Sequence, residues 1–143
     1  MRTTLIFLLF SIFSYSQAIK IGEFNKVKVY DGIRVTIIPS ESDSLLIEGK
    51  NKEHVSIKLK NGSLQIRMDV KKMFSGFNTT IALFNSSPIE EIDANQGSFV
   101  SSQDVLFQPS IVLKAQEGAE IESILDVQKV ITKATSGGGD AKK

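Results

Sequence analysis

The chain of 143 residues contains no cysteine and a single histidine, His54. Without cysteine no disulfide can hold the fold, so apolar burial and strand pairing must suffice. The same absence removes a cysteine nucleophile, and one histidine cannot supply the short-spaced Cys and His ligands of a zinc site. A serine triad would have to recruit His54, which stands beside Glu53 in a polar stretch and reads as a solvated loop residue. Calcium would call for an Asp-x-Asp-x-Asp loop, and none occurs. Gly137-Gly138-Gly139 lacks the Lys-Ser or Lys-Thr that completes a phosphate loop and reads as a turn or chain end. No cofactor and no metal are expected.

Long apolar runs and one-sided charge are also missing. The longest apolar stretch, Leu5 to Phe13, is far short of the roughly 20 residues that span a bilayer. Arg2 before it and Ser16-Gln17-Ala18 after it make residues 1–18 a secretory signal, cleaved after Ala18 or Gln17. An uncleaved anchor or core strand is the alternative. No transmembrane span remains after cleavage, and the lack of a following cysteine argues against a lipid anchor. The chain carries 17 basic and 16 acidic residues, and losing Arg2 with the signal leaves 16 of each. Its lysines are scattered, with Lys71-Lys72 and Lys142-Lys143 the only adjacent pairs. A neutral chain without a basic stripe is not expected to bind nucleic acid or to dock electrostatically on anionic lipid. Residues 19–143 suffice for one domain with its own core.

What the chain does have is alternation. Val27 and Val29, then Ile33, Val35 and Ile37, then Leu45 and Ile47 each flank polar residues, the pattern of half-buried strands. This N-terminal strand region covers about residues 20–70. Asp31-Gly32 reads as a tight hairpin turn and Pro39 to Asp43 as a longer polar loop. Asn61-Gly62 joins Val55 to Lys60 with Ser63 to Met68 in a hairpin, with Val55, Ile57 and Leu59 on the same core as Leu64, Ile66 and Met68. Almost no helix is expected, with one turn at Lys50 to His54 the sole candidate. Residues 71–88 are a transition. Within it Met73-Phe74 and Phe77 are apolar enough for a contact patch, or a cap on the near end of the core, and Thr79 to Phe84 reads as a strand.

A phrase then recurs: Ala94-Asn95-Gln96-Gly97, Ala115-Gln116-Glu117-Gly118 and Ala134-Thr135-Ser136-Gly137, spaced by 21 and 19 residues. Such a period marks stacked coils, here over about residues 79–140. Aligned on the Ala of each phrase, Ile92, Leu113 and Thr132 form one inner set, Val100 and Ile121 a second, Leu106 and Val127 a third. Parallel stacking at about 4.8 Å per rung would bury them in columns. Outward residues would form ladders, with Asn95, Gln116 and Thr135 in one and Gln96, Glu117 and Ser136 in another. These six are the candidate ligand-binding residues, offering hydrogen bonds to a glycan or to protein backbone.

The ordered set Phe24-x-x-Val27-x-Val29-x-x-Gly32-Ile33-x-Val35-x-Ile37, then Leu59-x-Asn61-Gly62-Ser63-Leu64-x-Ile66, then the Ala-x-x-Gly coils, resembles the auto-transporter adhesin head domain, or GIN domain, of exported Bacteroidota proteins. The resemblance covers about residues 20–140. It implies an all-β, right-handed parallel β-solenoid with an N-terminal strand and hairpin region. It also implies a setting in the periplasm, on the outer-membrane surface or outside the cell, and brings no catalytic residue. Members usually continue through further coils, so the third coil is expected to be incomplete. Its exposed edge could pair with a second copy of the chain.

The expected function is therefore non-enzymatic adhesion or binding of a glycan or protein at the cell surface. The alternative is a structural envelope protein that self-associates through the C-terminal coil edge. A polysaccharide-processing enzyme would need paired carboxylates. Glu90 and Glu91 are adjacent on a strand and point to opposite faces, while Glu117 and Glu120, with Glu122 beyond them, flank a corner and read as a solvated turn. Asp43-Ser44-Leu45 matches a short O-glycosylation pattern of Bacteroidota.

Overall fold

The computed structural model describes residues 17–73, 75–135 and 141–142. The described chain is mostly β. Its strands are β1 (Ile19–Lys20), β2 (Lys26–Val29), β3 (Arg34–Pro39), β4 (Ser44–Gly49), β5 (Val55–Lys60), β6 (Ser63–Met68), β7 (Thr79–Asn85), β8 (Glu91–Ala94), β9 (Phe99–Ser102), β10 (Leu106–Ala115), β11 (Glu120–Glu122), β12 (Leu125–Ala134) and β13 (Ala141–Lys142). Among the described residues helical structure is limited to three single 3₁₀ turns, one of them Lys52–His54 inside the stretch expected to make a turn.

Two mixed sheets form, in the orders β1-β4-β7-β3-β9-β11-β13 and β12-β10-β8-β2-β6-β5. They share one core, because alternation puts every second side chain of each sheet inside. Across the second sheet Leu64, Val27, Ile92, Leu113 and Thr132 stand in one register, and Ile66, Val29, Ala94, Ala115 and Ala134 in the next. Across the first sheet Ile81, Val35, Val100 and Ile121 are in register. Apolar packs on apolar in these rows, as the sequence period predicts, except at Thr132 on β12.

The spatial order is not the chain order. β2 and β3 lie in the middle of the stack, β6 and β7 pair parallel on one side of them, and β8 and β9 pair parallel on the other. At the β6–β7 end, β4 runs antiparallel to β7, β5 antiparallel to β6, and β1 antiparallel to β4. The β5–β6 hairpin forms as expected, but Leu59 is exposed near the end of the edge strand, while Val55 and Ile57 pack partly against the core.

Asp31-Gly32 is not a hairpin turn. It carries the chain from β2 in one sheet to β3 in the other. Register places it level with Gln96-Gly97, since Val29 pairs with Ala94. All three corners take left-handed φ at both residues: 61° and 79° at Asp31-Gly32, 53° and 70° at Gln96-Gly97, 54° and 78° at Glu117-Gly118. The recurrent phrase therefore has an earlier copy, Val29-Tyr30-Asp31-Gly32, hidden because Val replaces Ala. Asp31 is buried; its Oδ2 accepts from the Met68 N–H at 3.0 Å and its carbonyl from the Gly76 N–H at 2.8 Å, binding two distant segments to the corner.

One inner set needs correcting. Leu106 pairs with Leu125, and Val127 pairs with Gln108. The 21-residue offset holds from Ala94–Ala115 through Ser101–Glu122, then becomes 19, because the chain takes two residues fewer from Glu122 to Leu125 than from Ser101 to Leu106, their partners in register. A slip of two preserves facing, where a slip of one would turn every inner side chain outward.

Candidate functional site

The first predicted ladder is assembled as a hydrogen-bonded row. Asn95 is buried, and its Nδ2 donates to the Asp93 carbonyl at 3.2 Å and to Asp93 Oδ1 at 2.9 Å. Gln116 Nε2 donates to the same Asp93 oxygen at 3.0 Å, and Thr135 Oγ1 donates to Gln116 Oε1 at 3.4 Å. The row thus spends much of its bonding capacity on itself, with Asp93 as its acceptor. Sequence reading missed Asp93 because it lies one residue before the repeated phrase.

The second ladder occupies the corners. Gln96 and Glu117 both have left-handed φ, and the Gly97 N–H donates to the Glu117 carbonyl at 3.0 Å, so corner stacks on corner. Glu117 is exposed, whereas the Gln96 Oε1 is buried without a protein partner among the described residues. Ser136 lies outside the described residues. Glu120 and Glu122 begin and end β11 with exposed side chains. Ser44 of the glycosylation pattern is buried between β1 and β7, so its hydroxyl is not presented to a modifying enzyme.

His54 is not a solvated loop residue. Its Nδ1 lies 2.7 Å from Asp69 Oδ2, and the Asp69 N–H donates to the His54 carbonyl at 2.7 Å. The pair joins the start of β5 to the end of β6. The hydrogen bond from His54 holds the Asp69 carboxyl below its ordinary value of 3.8, against a smaller opposing effect of desolvation. A depressed carboxylate stabilises the fold above its ordinary value, and that contribution is lost as pH falls through the lowered one. Comparing melting temperatures of the wild type and Asp69→Asn from pH 6 to pH 2.5 should show a gap that closes on the acid side of 3.8. A gap independent of pH would remove the linkage.

Phe77 is exposed and does not cap the core; its ring lies over the Gly32 corner, where an added Cβ would come within 2.9 Å of Cε1. Met73 is also exposed, and Phe74 lies outside the described residues. Phe107, Val105 and Ile124 are further exposed apolar side chains, and Phe107 lines a groove of about 340 Å³ with Pro88, Pro109 and Val127.

The lysines are less scattered than the sequence suggests. Ser63 stands between Lys26 and Lys60, and Gln65 between Lys28 and Lys58, in direct cross-strand register on the outward face. These six residues line a groove of about 470 Å³ with Asn61 and Glu91. The local signal was Lys-x-Lys on two strands, but about 30 residues of chain separate them and only the pairing of both with β6 makes them neighbours.

This arrangement defines a class: a mostly β protein of two mixed sheets, with stacked corners and outward polar ladders. Residues 23–142 match the family model described as putative auto-transporter adhesin, head GIN domain, and the chain belongs to that family. Among solved structures it is similar to a putative adhesin from Bacteroides fragilis, with TM-score 0.73 and 17% identity over 84% of this chain and 57% of that one. It is also similar to putative adhesins from Parabacteroides distasonis (TM-score 0.67, 17% identity, 82% and 53%) and Parabacteroides merdae (0.63, 17%, 78% and 51%). The chain thus spans a little over half the length of the solved structures it resembles, and at this identity the likeness shows the fold. No curated protein matches it in sequence. No helix among the described residues is long and apolar enough to cross a membrane.

Proposed function

We propose that this chain is an exported, non-enzymatic binding module of a Bacteroidota cell envelope, made as residues 1–18 of signal and 19–143 of right-handed β-solenoid. The single observation that carries the reading is membership of the adhesin-head family over residues 23–142. Stacked coils suit such a role because they repeat surface groups at a fixed spacing without any moving part. In this reading the exposed members of the predicted rows, Glu117 and Thr135, meet a glycan or protein, and Ser136 is the remaining candidate of the second row. Asn95, Gln96 and Gln116 hold the row and its corners in place. The ten-residue edge strand β12 supports self-association as a second mode, since its pairing groups face outward along one side.

The chain from residue 19 onward carries every described element, so it can be tested directly. It is expected to bind an envelope fraction or an immobilised glycan array saturably. Binding to neither would remove the adhesion reading. Light scattering of the same preparation decides the second mode, which a strict monomer at high concentration would eliminate.

A further inference from the structure

We infer that the groove over β6 is a binding site for an acidic oligosaccharide, held by Lys26 and Lys28 of β2 and Lys58 and Lys60 of β5. The two pairs flank one strand, so they stand roughly 10 Å apart across the sheet, with roughly 7 Å between lysines of one strand. Ser63 and Gln65 form the floor between them and offer a hydroxyl and an amide to sugar hydroxyls. The four ammonium groups would meet carboxylate or sulfate substituents.

None of the four ammonium groups is held in an ion pair among the described residues. Glu91 and Asp93 lie opposite Lys26 and Lys28 on β8, yet both are engaged on the far side. Glu91 Oε1 pairs with Lys114 Nζ at 3.0 Å, and Asp93 Oδ1 accepts from Asn95 and Gln116. Among the described residues no carboxylate comes within 4.0 Å of any of the four lysine ammonium groups. Lysines on β5 alone would be explained by protection of an edge strand. Lys26 and Lys28 lie on an interior strand, where that explanation does not apply.

The surroundings select the anion. A membrane surface would want apolar side chains to insert, and none lines this groove. Single-stranded nucleic acid would want exposed aromatic faces. No ring lines the groove, and Tyr30, two residues beyond Lys28, is stacked under the Arg67 guanidinium at 4.8 Å. The acidic β8 column bounds the groove on one side and keeps it one strand wide, too narrow a basic stripe for a duplex. A single hydroxyl-rich chain with spaced negative charges fits what remains.

This site rests on the binding-module reading only for the ligand's availability, and it can be tested apart from cells. Titration calorimetry of the chain from residue 19 would use a heparin-derived hexasaccharide and hexagalacturonate as sulfate and carboxylate probes, with maltohexaose as the uncharged one. At least one acidic probe is expected to bind and maltohexaose not. Lys58→Ser with Lys60→Ser should weaken binding about tenfold or more and lower the salt slope by roughly two, one unit per lost ion pair. Lys129→Ser with Lys133→Ser, on the opposite edge strand β12, makes the same charge change and should leave affinity within about twofold. Equal losses in the two double variants, or no binding of either acidic probe, would overturn the site. So would tighter binding to single-stranded DNA or to phosphatidylglycerol vesicles. Failure here with persistent envelope binding would leave the adhesion reading standing.

Discussion

Replacing Gly49 with Ala is expected to cost about 4 kcal/mol or more, a large part of the roughly 5–15 kcal/mol that holds a domain of this size. Gly49 closes β4 at φ 107°, outside the left-handed well that other residues tolerate, and a Cβ there would collide with the Asn78 carbonyl oxygen. That oxygen accepts the Lys50 N–H at 3.2 Å, and Thr79 Oγ1 donates to the Lys50 carbonyl at 2.7 Å, so the clash falls on the join between β4 and β7. Neither backbone can retreat without breaking the antiparallel pair that covers this end of the stack. Gly97→Ala is the comparison. Its φ of 70° is also left-handed, but the nearest atom to an added Cβ is a Phe77 ring carbon at 3.7 Å, so only the conformational strain of about 1–2 kcal/mol is due. Urea unfolding of the two variants should separate them clearly. Equal midpoints would mean that the close approach at Gly49 is not what fixes β4.

Ile92→Ala should destabilise the protein by about 2–5 kcal/mol. Ile92 is fully buried, in register between Val27 and Leu113, so its methyl groups are enclosed from both neighbouring strands as well as from the facing sheet. Strand spacing is set by backbone hydrogen bonds, which prevents the column from collapsing into the space left behind. Thr132→Ala, in the same register but exposed on β12, should cost less than about 1 kcal/mol. Thermal unfolding is expected to show a gap of several degrees between the two. If Thr132→Ala proved as damaging as Ile92→Ala, the column would not end at β12.

Much of this architecture is legible in the residues. Alternation at Val27, Val29, Val35 and Ile37 marks strands because a pleated backbone turns every second side chain inward. The Ala-x-x-Gly phrases mark stacked corners, because a left-handed pair of residues recurs wherever the chain turns the same way. The candidate rows Asn95–Gln116 and Gln96–Glu117 followed from that spacing alone. The ordered motifs were also enough to point to the adhesin-head family.

Other features could not be read there. Asp31-Gly32 has the composition of a hairpin turn, and its φ angles suit one, but the same local geometry also serves a corner between sheets. His54 is separated from Asp69 by a whole hairpin, and their pairing depends on how the two strand ends meet. The lysine groove is the clearest case. Alternation says that Lys26, Lys28, Lys58 and Lys60 point outward, and says nothing of which strands lie side by side. The sequence by itself determined strand identity, facing and the repeat, because those depend on periods of two and of about 20 residues. Only the tertiary structure decided that β2 pairs with the other side of β6 from its hairpin partner β5, and with it where four lysines meet, because pairing between distant strands is set by the packing of the whole core.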